Sequence, residues 1–257
     1  LVLINVLGPL TVEYGGKTHR IRAKKIRTVF AVLALNAGRT VSWDTLVDEL
    51  WPDKDLENSR NALHATTARL RKLMDGWDLD AKPNELVRTT GSSYMLDIPQ
   101  ASTDAAQFLK FAAQGSELLR DQPVRAEELL HQALSLWRGP ALLDAGDGLL
   151  CQSTAAQLEE RLMSLREDLI VVKLNTGGER EAISELRELV VQHPGRERFS
   201  EQLMVALYRC GRQSEALDVY QRTRDWLSAE LGLDVGRSLR KLYQDILSQD
   251  PLLDAKA

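Results

Sequence analysis

The chain has 257 residues, 44% apolar and 27% charged. That is room for one large or two ordinary domains with real cores, and it excludes a disordered chain. Net charge is −4, yet residues 1–98 hold 14 Lys/Arg against 12 Asp/Glu and the remainder 19 against 25, so a mildly basic half precedes an acidic one. Two cysteines, Cys151 and Cys210, are too few for a disulfide framework and fit a reduced, cytoplasmic setting. No run approaches the roughly 18 apolar residues of a membrane span, and residues 1–12 lack the basic start of a secretion signal.

Residues 1–21 read as β. Val2, Ile4 and Val6 precede Gly8-Pro9, a second run (Leu10, Val12, Tyr14) ends at the turn signal Gly15-Gly16, and residues 18–21 form the return strand. From Ala23 the period becomes helical, with Ile26, Val29, Phe30, Leu33 and Ala34 on one face until Asn36-Ala37-Gly38. An extended piece at 39–41 leads to Ser42, the N-cap of a short helix (Leu46, Val47, Leu50) closed by Trp51-Pro52. A longer helix spans about residues 58–74, and residues 86–98 have a hairpin pattern turning at Gly91-Ser92-Ser93.

Beyond Pro99 no strand signal remains. Residues 103–247 read as helices broken at Gln122-Pro123, Gly139-Pro140, 146–148, Gly177-Gly178, Pro194-Gly195, Gly211 and Gly232. The shift places a boundary near 99–103, giving domains 1–99 and 103–250. Within the second, a 34-residue offset aligns Val171 with Val205, Leu174 with Tyr208, Gly177 with Gly211, Ala182 with Ala216 and Leu186 with Tyr220. Thirty-four is the tetratricopeptide period. Two repeats bury too little alone, so the helices of 103–137 are expected to stack on them. The expected fold is mainly α with a small α+β N-terminal part: a winged helix-turn-helix followed by an all-α tetratricopeptide-like repeat domain.

Residues 60–74 (RNALHATTARLRKLM) contain no acid. At about 100° per residue Leu63, Leu70, Leu73 and Met74 share one sector, Arg60, His64, Thr67 and Arg71 form one line, and Asn61, Ala65, Ala68 and Lys72 fill the adjoining sector. Arg and Asn can pair bidentately with guanine and adenine edges, and Ala permits close approach, so this design suits a major groove. Taken alone the helix reads rather as a solvated basic face; the turn before it and the hairpin after it shift the reading to DNA. Candidate base-reading residues are Arg60, Asn61, His64, Thr67, Arg71 and Lys72. Arg88, Thr89, Thr90 and Ser92 of the hairpin, with Arg22, Lys24 and Ser42, are the candidates for wing and backbone contacts.

These parts resemble a known family. Thr40-Val41-Ser42, LVDELW (residues 46–51) and RLRKL (69–73) resemble the OmpR-type DNA-binding domain. LWRGPAL (136–142), HPGRERF (193–199), LMVALYRCGRQSEAL (203–217) and the AELGLD run (229–234) are similar to the bacterial transcriptional activation domain. The pair, covering essentially the whole chain, resembles the Streptomyces antibiotic regulatory proteins (SARPs). The resemblance implies an activator of secondary-metabolite clusters that binds direct repeats of double-stranded promoter DNA as a homodimer. It also implies contact with RNA polymerase holoenzyme, sigma factor and core subunits included, through the loop before the recognition helix. That loop maps onto 51–57, with Pro52, Asp53, Lys54, Asp55 and Glu57 as contact residues; by itself it reads as a solvated turn. The hairpin tip departs from the pattern, reading Gly91-Ser92-Ser93-Tyr94 where Gly-Gly-Tyr is usual.

An enzyme finds little support, because His19, His64, His131 and His193 are scattered and none has metal-ligand spacing with Cys or carboxylates. No phosphate loop is present, and neither a cofactor nor a membrane is expected as a partner. Glu127-Glu128 and Glu159-Glu160 read as solvated faces. The rival is a peptide- or ligand-binding repeat adaptor whose first domain is structural. Residues 249–251 close the last helix, which suits either a small stand-alone regulator or the N-terminal part of a larger one.

Overall fold

The computed structural model describes residues 2–51, 56–77 and 79–254, with the backbone alone at 56 and 57. Three strands, β1 (Leu3–Asn5), β2 (Thr11–Tyr14) and β3 (Lys17–His19), form an antiparallel sheet in chain order. The two-residue turn joining β2 to β3 has φ of +56° at Gly15 and +74° at Gly16, which only glycine adopts cheaply. Helix α1 (Lys24–Leu35) buries Val29, Phe30, Val32 and Leu33. β4 (Thr40–Ser42) precedes α2 (Trp43–Leu50), where the Ser42 hydroxyl accepts from the Thr45 N–H at 3.1 Å.

Helix α3 (Leu56–Asp75) packs against α1 and α2. A four-residue helix that periodicity did not anticipate, α4 (Pro83–Leu86), starts with proline at its first turn. It leads into β5 (Val87–Thr90) and β6 (Ser93–Leu96), and β6 lies between β4 and β5 in a second antiparallel sheet. The extended piece before Ser42 is therefore the hairpin's third strand, which supplies the pairing that a lone hairpin lacks. Phe30, Leu33, Leu46, Leu63, Leu70, Val87 and Leu96 fill the core among these elements.

Packing divides the chain into two compact units: residues up to Gly115 together with Glu128–Met163, and Ser116–Glu127 together with the chain from Ser164 onward. Helices α5 (Asp104–Leu118), α6 (Pro123–Ser135) and α7 (Leu149–Asn175) each contribute to both. The expectation that residues 103–137 stack on the repeats is thus corrected, because most of that stretch packs within the first unit.

The physical reason lies in backbone donors. Val6 and Leu7 are fully buried where the chain leaves β1, so their N–H groups need partners. The Asp104 carboxylate accepts both, at 2.7 and 3.0 Å, while Arg138 N–H donates to the Leu7 carbonyl and Leu142 N–H to the Val6 carbonyl, each at 2.8 Å. Asp144 accepts from Leu10 N–H at 2.8 Å. The buried Glu49 carboxylate of α2 accepts from the N–H groups of Leu150 and Cys151, at 2.9 and 2.8 Å, and so caps the start of α7.

The second unit holds the end of α7 with α8 (Glu179–Gln192), α9 (Glu197–Arg209), α10 (Gln213–Trp226), a π-helical turn at Leu227–Leu231, and α11 (Arg237–Leu247). Here the 34-residue repeat is structural. Gly177 and Gly211 have φ of +81° and +73°, and the helix-ending bonds Gly178 N to Lys173 O and Arg212 N to Leu207 O match at 2.8 and 2.9 Å. Ala182 and Ala216 are completely buried, allowing the paired helices to close on one another. The fold is a winged helix-turn-helix followed by a helical repeat domain.

Candidate nucleic-acid interface

Helix α3 buries Leu63, Thr66, Thr67, Leu70 and Met74. Asn58, Asn61, Ala65, Ala68, Arg69 and Lys72 are exposed, and this spacing lays them along one stripe. No acidic residue lies between 58 and 74, so the stripe offers amide donors and acceptors and two cations among alanines.

The stripe corresponds to the sector containing Asn61 and Lys72, and the line Arg60–His64–Thr67–Arg71 lies to one side of it. Thr67 has no exposed surface, and its hydroxyl donates to the Leu63 carbonyl at 3.0 Å; it is withdrawn as a base-reading residue. Thr66 likewise donates to the Ala62 carbonyl at 2.7 Å. A threonine whose hydroxyl is satisfied one turn back packs as an apolar residue. Counting both threonines as polar therefore rotated the expected buried face, and Leu73, assigned to the core, is 36% exposed. The same rotation hid Arg69.

Two more members of the line, Arg71 and His64, are half-buried and engaged within the unit. Arg71 donates Nε and Nη2 to the Val87 carbonyl, at 2.9 and 2.6 Å, and Nη2 also to Thr89 Oγ1 at 2.9 Å. Its guanidinium lies 5.6 Å from the Tyr94 ring centroid. His64 Nδ1 shares a 2.6 Å hydrogen bond with the Tyr94 hydroxyl, and its ring meets Trp43 edge-on at 4.5 Å. Both residues brace the hairpin against α3, and their hydrogen-bonding groups are engaged there rather than presented along the exposed stripe. Arg60 remains exposed and pairs with Asp44 of α2 at 2.8 Å.

On the hairpin, Thr90 and Ser92 are exposed near the tip, and the Ser92 carbonyl accepts from Trp43 N–H at 3.0 Å. Thr89 is held by Arg71, and Arg88 pairs with Asp97 at 2.7 Å. Arg22 is exposed, whereas Lys24 is paired with the exposed Asp147. Ser42 spends its hydroxyl on the α2 cap. Pro52, Asp53, Lys54 and Asp55 lie outside the described residues, as does the side chain of Glu57.

Buried titratable groups elsewhere in this unit are structural. Burial pushes the Asp104 carboxyl above the usual carboxylate range, opposed by the two backbone N–H donors and by Arg138. Burial, then the neighbouring Glu49, pushes the Cys151 thiol far up, which keeps it protonated and unreactive. Among the described residues no cluster of three His, Cys, Asp or Glu could hold a metal ion. No described helix is long and apolar enough to cross a membrane.

Residues 103–247 match the model of the bacterial transcriptional activator domain, and residues 20–96 match that of the C-terminal part of transcriptional regulatory proteins. The chain is 46% identical to the transcriptional regulator RedD of Streptomyces coelicolor, covering 98% of this chain and 72% of RedD. It is 33% identical to the regulatory protein DnrI of Streptomyces peucetius, covering 98% of this chain and 94% of DnrI. Among solved structures, Mycobacterium tuberculosis EmbR in complex with a low-affinity phosphopeptide superposes with a TM-score of 0.90 at 31% identity, over 97% of this chain and 66% of EmbR. With a helix-turn-helix and wing followed by the matched activator domain, this chain belongs to the SARP family of transcriptional regulators.

Proposed function

We propose that this regulator activates transcription by laying the exposed stripe of α3 in the major groove of promoter DNA. Asn61, Arg69 and Lys72 reach base edges or phosphates there, Ala65 and Ala68 allow close approach, and Thr90 and Ser92 contact the backbone. The observation that carries this reading is an outward helix face without acid, in a chain whose net charge is −4. Arg60 and Arg88 can join, because their partners Asp44 and Asp97 are exposed and such pairs yield readily to phosphate. In this reading residues 1–99 bind DNA and 103–250 serve activation. Two protomers occupy direct repeats near the promoter of a secondary-metabolite cluster, and residues 51–57 meet RNA polymerase holoenzyme at its sigma factor and core subunits.

Footprinting on the upstream regions of neighbouring genes tests it. A protected direct repeat is expected, with log K falling against log salt at about −0.9 per phosphate neutralised. Absence of any protected repeat at every salt concentration would end the proposal. Reversing charge at Asp53 or Asp55 is expected to leave the footprint intact and lower transcription in a purified system. Equal loss of both would remove the loop from the polymerase contact.

A further inference from the structure

The second unit contains a cavity that reading DNA does not use. Helices α8, α9 and α10 and the turn at Pro194 enclose about 500 Å³, inside the range of roughly 300–1,000 Å³ found for small-ligand sites. Its walls are apolar: Val190, Val191, Leu203, Leu207, Val219 and Trp226. Val191 at the lip is 79% exposed, and the Trp226 ring rests against Gly195, where a Cβ would come within 3.3 Å of it. Thr223 contributes no polar handle, because its hydroxyl donates to the Val219 carbonyl at 2.9 Å and meets the Ser200 hydroxyl, also at 2.9 Å.

Charge at the cavity is unbalanced. Glu215 is shared between Arg187 at 2.8 Å and Arg212 at 2.7 Å. Arg222, also lining the cavity and exposed, has no ion pair among the described residues, and Asp218, one turn back on α10, lies beyond ion-pair distance. Two guanidiniums, Arg187 of the lining and Arg212 outside it, thus share one carboxylate, and that of Arg222 stands apart beside a wall of aliphatic and indole surface.

We propose that this cavity binds a small organic anion, a carboxylate or sulfonate carried on an aromatic body. Its rings cover Val191, Leu207 and Trp226, and its anionic group pairs with Arg222 beside Arg187. A guanidinium matches the two-oxygen edge of such an anion, and the apolar walls hold the aromatic body beside it. A neutral ligand of the same shape would bury the same apolar surface and leave Arg222 unanswered. The site does not depend on how, or whether, α3 reads DNA.

Titrating the full chain with anilinonaphthalene sulfonate, and with its neutral relative phenylnaphthylamine, tests this by fluorescence. Saturable binding of the sulfonate at one site per chain is expected, with the neutral dye about tenfold weaker. Arg222→Gln, an exposed change with little effect on folding, is expected to weaken the sulfonate about tenfold and leave the neutral dye unchanged. Arg224→Gln, on the same helix but paired with Asp225, serves as the control and should bind as the parent does. Any of three results overturns the proposal: binding that never saturates, equal affinity for the two dyes, or no effect of Arg222→Gln. So does a signal that falls as protein concentration rises, since that marks a second copy covering the cavity.

Discussion

The two packing units are held together by different means. In the first, the buried carboxylates of Asp104 and Glu49 and the half-buried one of Asp144 reach across the chain: Asp104 to Val6 and Leu7, Glu49 to Leu150 and Cys151, Asp144 to Leu10, with sequence separations of 97 to 134 residues. In the second, each helix pair closes on its neighbour through the same glycine turn and the same buried alanine, 34 residues apart. Local repetition lets stability accumulate unit by unit. Distant ties make it depend on a few side chains, each serving backbone groups that have no other partner.

The sharpest way to break this contrast is Asp104→Ala, which strands two buried N–H groups and should cost about 2–5 kcal/mol. Chemical denaturation would measure it, and a loss below about 1 kcal/mol would mean that other groups hold Val6 and Leu7. Next come the arginines of α3. Arg71→Ala is expected to destabilise the hairpin by about 1–3 kcal/mol, whereas Arg69→Ala and Asn61→Ala should leave melting unchanged and weaken DNA binding by about 1–3 kcal/mol. If Arg69→Ala instead melts early and binds normally, the assignment of the exposed stripe is wrong.

In the repeat unit, Gly177→Ala meets only the penalty of a left-handed backbone, about 1 kcal/mol, because no atom lies within 4 Å of the added Cβ. The smallest effect belongs to Glu215. Hydrogen bonding by Arg212, then the charges of Arg212 and Arg187, hold its pKa below the ordinary 4.5. A lowered folded pKa gives a contribution present above that ordinary value and lost as pH falls through the lower one. Melting of the parent should therefore decline more steeply than that of Glu215→Gln just below pH 4.5. Parallel curves would show that the pair is fully screened.

The same contrast governs what could be read from the amino-acid sequence. Repeat positions such as Gly177 and Ala216 announce themselves because their signal is local and recurs. The order of strands and helices in the first unit was also legible, since caps and turns such as Ser42 and Gly15-Gly16 act over a few residues. Asp104 and Glu49 were not, for an acid that caps a distant backbone has the same neighbours in sequence as one facing water. Composition changes at 99–103, yet packing keeps residues to Gly115 and Glu128–Met163 with the first unit, because the buried donors near β1 need groups from beyond that point. At the candidate interface, Asn61 and Lys72 lie on the exposed stripe, while Thr67, His64 and Arg71 do not. Wheel arithmetic cannot know that a threonine has satisfied its own hydroxyl or that an arginine has found a strand carbonyl.

The bracing of the hairpin by Arg71, His64 and Tyr94 has a consequence for timing. Helix and wing are locked together within their own unit, so in the proposed reading an encounter with a duplex does not have to wait for them to find each other. For such a preset reader, the heat-capacity change on DNA binding should track the contact area alone, without the added increment of a segment that folds on its target. Releasing the brace with Arg71→Ala would turn docking into a two-step event, with a slow phase independent of DNA concentration.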